Sequence, residues 1–148
     1  MDNRHLAKCV LALLVASCAV QAAARDCAPK IRDGWVRLPP KAMPMMAGFG
    51  RIANPCPTPV VIVSASSPAF AEVSVHETRL IDGVNRMREL EQLRIAPDGE
   101  AVLKPGGMHL MLMRPRAPLS EGSKVVVAFK LQDGREILAE LGVRKAAP

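Results

Sequence analysis

Thirteen prolines are scattered over this 148-residue chain, and beyond the first two dozen residues no long stretch carries a helical period. Proline removes a backbone donor and breaks helices, but it is tolerated at strand ends and in turns. Between the prolines lie short apolar or β-branched runs: "GWVRLPP", "AGFGRIANPCPTP", "VVIVSASSP", "AEVSVHETRLIDGVNRMREL", "AVLKPGGMHLMLMRP" and "KVVVAFKLQDGREILAELGV". Strands of about five to seven residues, repeating every 8–12 or so, predict an all-β fold of the antiparallel sandwich or barrel kind. No internal repeat, low-complexity linker or second domain interrupts this pattern, so a single domain is expected. Two Asp-Gly pairs, Asp82-Gly83 and Asp133-Gly134, each sit between apolar runs. Both predict two-residue hairpin turns, in which the central residues must reach positive φ.

The first 24 residues do not fit the sandwich. Arg4 and Lys8 precede an apolar run, Cys9 to Val20, and Ala22-Ala23-Ala24 follows as a small-residue exit. Basic start, short apolar core and small-residue exit read as an export signal cleaved after Ala24. The core is too short to span a bilayer comfortably. The word "VASC" (Val15 to Cys18) keeps open an alternative, lipidation at Cys18. With residues 1–24 removed, the domain runs over 25–148 and the net charge falls from +6 to +5, since two basic residues and one acidic residue leave. Positive charge often signals nucleic-acid binding. Export argues against it here, as does the shortage of stacking platforms: no Tyr, one Trp and three Phe.

Cys9 and Cys18 leave with the signal, and Cys27 and Cys56 remain. In an oxidising compartment two such cysteines are expected to pair, removing roughly 3–4 kcal/mol of denatured-state freedom. Neither sits in a CxxC motif, so a redox-active pair is the less favoured alternative.

The Asp82-Gly83 turn carries geometric information. With a two-residue loop, His76 faces Glu89 and Thr78 faces Met87. His76 and Met87 then share a face as diagonal neighbours about 7–8 Å apart at the backbone, a gap long side chains bridge. A second stretch, "GGMHLMLMRP", puts one histidine and three methionines into six residues. As a strand it sends His109, Met111 and Met113 to one face, and Met108, Leu110 and Leu112 to the core. Methionine-rich strands are ordinarily core packing, but packing gives no reason for the imidazole. The alternative is that this face meets the His76/Met87 face at one end of the fold. Thioethers are soft and uncharged and imidazole is borderline, a donor set that favours Cu(I). Zinc would ordinarily draw on thiolate or carboxylate, and no cysteine lies near for a blue-copper centre.

Spacing separates the readings. Ten residues lie between His76 and Met87, twenty-one between Met87 and His109, and one between His109 and Met111. This H-x10-M-x21-H-x-M pattern resembles the PCuAC-type periplasmic copper chaperones. "VHETRLIDGVNRMREL", "LKPGGMHLMLM" and "RLPPKAMPMMAGF", with Trp35 before the last, are similar to that family over about Asp33 to Val143. Many members carry a methionine after the first histidine, where this chain has Glu77. The resemblance implies a cupredoxin-like Greek-key β-sandwich that binds one Cu(I) through His76, Met87, His109 and Met111. It implies a monomeric, non-enzymatic carrier that delivers periplasmic copper to an acceptor such as the Cu_A centre of cytochrome c oxidase subunit II or an assembly factor. Some relatives have a His/Met-rich tail for Cu(II); this chain ends in "RKAAP", so a single copper site is expected. Met43, Met45 and Met46 are expected as an apolar collar beside the metal, and Met113 as a supporting or core residue. Pro105-Gly106-Gly107 is expected to set the register of the ligand strand, and Glu77, Arg86, Arg88 and Glu89 to be solvated charges. Two other functions compete: an exported enzyme, either a copper oxidase or a thiol–disulfide reductase, and a structural sandwich without metal.

Overall fold

The computed structural model describes residues 27–145; the expected signal segment and Cys18 lie outside them. Ten strands follow in order: β1 (Lys30–Leu38), β2 (Met45–Ala53), β3 (Val60–Ser66), β4 (Phe70–Ile81), β5 (Val84–Glu89), β6 (Leu93–Ile95), β7 (Glu100–Leu103), β8 (Met108–Pro115), β9 (Lys124–Leu131) and β10 (Glu136–Lys145). Among the described residues there is no helix. The all-β sandwich expected from the prolines is the fold observed.

Seven strands close into a flattened barrel in the order β4-β8-β2-β1-β10-β9-β3, with β3 returning to β4 through the Ala65–Val73 pair. β5 extends this sheet outward from β4, and β6 extends it from β3. Pairing is antiparallel except between β1 and β10 and between β7 and β8, which run parallel. Alternation supplies the core. β9, "KVVVAFKL", buries Val125, Val127, Phe129 and Leu131 and turns Lys124, Val126 and Lys130 outward, as a strand with one wet face must. Those residues join Val36, Ile52, Ile62, Phe70, Val73, Val75, Leu110, Leu112 and Leu141 in one apolar cluster.

Asp82 (φ 51°) and Gly83 (φ 76°) both take left-handed backbone, and Ile81 pairs with Val84. This is the two-residue turn expected, in the primed form whose twist matches the flanking strands. The second hairpin differs. Only Gly134 is left-handed there (φ 88°), and the Leu131 N–H donates to the Arg135 carbonyl across a three-residue loop, Gln132 to Gly134. The cause is local: the Asp133 carboxylate accepts from the Arg135 backbone N–H (3.0 Å) and guanidinium (2.8 Å). That Asx-type clasp holds Asp133 out of the left-handed region and leaves Gly134 alone to reverse the chain. Before β8, the Gly107 N–H donates to the Lys104 carbonyl at 3.1 Å, with Gly106 at φ 76°. Pro105-Gly106 therefore forms a type II turn, proline presetting the first corner and glycine taking the second.

Cys27 and Cys56 are joined, Cα atoms 5.5 Å apart, tying the approach to β1 to the β2–β3 loop.

Candidate metal site

The site lies on the outer face of neighbouring strands β5, β4 and β8, with β2 beyond. Register builds it row by row. His76 pairs with Glu89 on one side and with His109 on the other. Residues two apart share a face, so Ser74, Thr78, Met87 and Met111 join this surface. Met111 lies opposite Ser74 on β4 and Ala47 on β2; Met87 lies opposite Thr78. The two methionines thus flank the histidine pair, one toward each end of the strands. The core side of the same strands carries Val73, Val75, Leu110 and Leu112. The sequence reading has the two donor faces meeting at one end of the fold. They stand side by side in one sheet, because β4 runs between β5 and β8.

The imidazole centroids of His76 and His109 are 6.0 Å apart, with ring planes 37° apart. Bonds of about 2 Å from each nitrogen to a shared ion, plus roughly 1 Å of ring on each side, give about this separation. His109 is buried, at 7% exposure, and its Nδ1 lies 3.0 Å from the Gly107 carbonyl oxygen. A carbonyl only accepts, so the proton of the neutral ring sits on Nδ1 and Nε2 keeps its lone pair. The same carbonyl accepts the Thr78 N–H at 3.1 Å. The Pro105-Gly106 turn therefore fixes both the strand register and the His109 tautomer.

His76 is held in the opposite sense. Its Nε2 lies 3.0 Å from Ser74 Oγ and 3.9 Å from Glu89 Oε2. A carboxylate beside Nε2 favours the proton there, which leaves Nδ1 bare. Nδ1 is buried and has no hydrogen-bond partner, a costly state for a polar atom unless something else engages it. Burial pushes the His76 pKa below the ordinary imidazole value and the neighbouring His109 adds to this, while Glu89 and Glu72 oppose it. The net shift favours the neutral ring, the form that a metal donor needs.

Met111 is half-buried, and Met87 on the edge strand is 52% exposed. Among the described residues no three His, Cys, Asp or Glu side chains group as a metal site. What the surface offers is two imidazoles, each with one nitrogen occupied, between neutral thioethers. This set suits a soft univalent ion.

The residues 30–143 match the family model "Putative lipoprotein LpqE-like". The chain belongs to the LpqE-like family. A "Putative lipoprotein Lxx21020" of Leifsonia xyli subsp. xyli is 34% identical over 106 residues, covering 71% of this chain and 63% of that protein. An uncharacterized protein of Rickettsia prowazekii, RP573, is 26% identical over 59% of this chain and 49% of its own length. This chain therefore spans less than two thirds of either curated relative. Among solved structures, the apo PCuAC domain of PmoF1 superposes with a TM-score of 0.67 at 17% identity, over 82% of this chain and 98% of that one. Cu(I)-loaded DR1885 of Deinococcus radiodurans gives 0.65 at 26% identity, over 86% of each chain. This LpqE-like chain has the PCuAC-domain fold.

Two other expectations, those for Met46 and Glu77, are adjusted by the geometry, and Met113 is placed by it. Met46 is a core residue at 8% exposure, on the opposite face from the donors, so it belongs to no collar. Met113 shares the donor face, opposite Met45 and Glu72, and is half-buried there. Glu77 points away from His76 and accepts ion pairs from Arg79 (2.8 Å) and Arg88 (3.1 Å), which hold its carboxyl below the usual range. The sequence reading missed Ser74 and the Gly107 carbonyl. Ser74 was visible as the same-face neighbour two residues before His76; the carbonyl left no side-chain signal.

Proposed function

We propose that this LpqE-like chain is an exported copper carrier, with His76, His109, Met111 and Met87 as the ligands of one Cu(I). The observation that carries the reading is the direct pairing of His76 with His109, each ring with one nitrogen engaged and the other bare. DR1885, similar to this chain at 26% identity, is a Cu(I) binder by its description, and this supports the same cargo here. With no anionic ligand, the ion keeps its full charge and copper is favoured in its univalent state. Such a site yields its ion to a partner that offers thiolates, which suits a carrier with no turnover of its own. The acceptor favoured by the family resemblance is the Cu_A centre of cytochrome c oxidase subunit II.

Export rests on the leader at residues 1–24 and agrees with the lipoprotein descriptions of the family and of the Leifsonia relative. Those descriptions add weight to Cys18 as a lipid attachment point beside periplasmic release after Ala24. The intact mass of the exported protein separates the two, because a diacylglyceryl group on Cys18 adds a mass that simple cleavage lacks.

The function is tested by titrating the exported protein with Cu(I) against a chromophoric chelator. Wild type is expected to take about one tightly held equivalent, and His109→Ala and Met111→Ala to weaken it by roughly ten- to hundredfold or more. Unchanged affinity in both variants overturns the carrier reading. Labelling of Cys27 or Cys56 by a thiol reagent in native, unreduced protein would favour the reductase instead.

A further inference from the structure

Beyond the four proposed ligands, the outer face of β8 carries a further set of soft donors. Met113 lies two residues past Met111 on the same face, and its direct register partner on β2 is Met45. Direct cross-strand partners hold their Cβ atoms about 4.5–5.5 Å apart, close enough for two long thioethers to share one ion. Met45 is 39% exposed and Met113 half-buried; neither belongs to the apolar core cluster. Core packing therefore does not explain them. Met43, 47% exposed, stands apart from this pair: it precedes β2 and lines the cavity between the β1–β2 and β8–β9 loops together with Met46. On the far side of Met113 stands Glu72, an exposed carboxylate paired with Arg114 at 3.0 Å.

We propose that Met45 and Met113 form a second and weaker site for a univalent soft ion, Cu(I) or Ag(I). The donor chemistry decides the ion: neutral sulfur gains little from hard or borderline divalent metals and much from a soft d10 cation. Thioethers have no proton to displace, so occupancy is independent of pH over the range in which imidazole titrates. The site adds to the single copper expected from the sequence, and it stands whether or not the histidine pair holds metal.

The test uses the exported chain labelled at the methionine ε-methyl carbons and titrated with Ag(I) at about pH 7 and about pH 5, values either side of the ordinary imidazole pKa. The Met45 and Met113 methyl resonances are expected to shift at both values, after those of Met87 and Met111 at the higher one. Their shifts persist in the His76→Ala/His109→Ala double variant. Total binding falls from about two equivalents to about one in Met45→Leu/Met113→Leu. Met45 and Met113 methyls that stay in place at saturating Ag(I) in wild type overturn the second site, with no variant needed. Failure of the histidine site is separately visible, as Met87 and Met111 methyls that do not respond to the first equivalent.

Discussion

His76, one of the proposed ligands, sets a folding cost against the proposed binding role in one side chain. Its Nδ1 is buried without a partner, and an unsatisfied buried polar atom costs roughly 1–3 kcal/mol. Burial also depresses its pKa. A group whose folded pKa lies below its unfolded value binds its proton first in the unfolded chain. Its contribution to stability is intact above the ordinary value of 6.5 and is lost progressively as pH falls below that, toward the folded pKa. His76→Leu removes both penalties. The metal-free variant is expected to melt at or above the wild-type temperature and to lose the His76 part of the decline in stability on acidification, while its Cu(I) affinity collapses. Thermal melts of metal-free protein from about pH 7.5 to about pH 5 check this. A variant destabilised at neutral pH by clearly more than the roughly 1 kcal/mol of the Ser74 hydrogen bond it gives up would show that Nδ1 is satisfied after all.

At the scale of elements, the β4–β5 hairpin determines which residues share the donor face. A two-residue turn places Met87 in the His76 face; one added residue sends every β5 side chain to the other side. A glycine inserted between Asp82 and Gly83 should therefore weaken Cu(I) binding about as much as Met87→Ala does. β5 is a fully exposed edge strand, so the melting temperature of the metal-free protein should change little. Unaltered Cu(I) affinity in the insertion variant would remove Met87 from the site. This hairpin was legible in the sequence, since Asp82-Gly83 fixes its register and the register fixes the face. The Asp133-Gly134 loop was not, because Arg135 clasps the Asp133 carboxylate and changes which residues reverse the chain. The neighbourhood of β4 and β8 also escaped the sequence: the His76–His109 pairing joins strands 33 positions apart, and no local pattern encodes which strands become neighbours. The alternation of β8 correctly divided Leu110 and Leu112 from His109 and Met111, because one side of the strand has to fill the core.

Across the whole molecule, the disulfide and the proposed metal site lie in different parts of the fold. The Cys27–Cys56 link closes a 29-residue separation at the β2–β3 loop, and its removal is expected to cost about 2–4 kcal/mol. Cys27→Ser/Cys56→Ser should lower the melting temperature and leave Cu(I) affinity within about twofold of wild type, since no donor strand is tied by the link. A large loss of affinity would couple the disulfide to the site. Cu(I) binding should raise the melting temperature of wild type and of the disulfide variant alike. The most direct measurement of the central claim is X-ray absorption at the copper edge on protein loaded with less than one equivalent. The account predicts Cu(I) with nitrogen and sulfur scatterers in equal number, the imidazole signal halved in His109→Ala and the sulfur signal reduced in Met111→Ala. Copper surrounded by nitrogen and oxygen alone, or a spectrum indifferent to both substitutions, would contradict it.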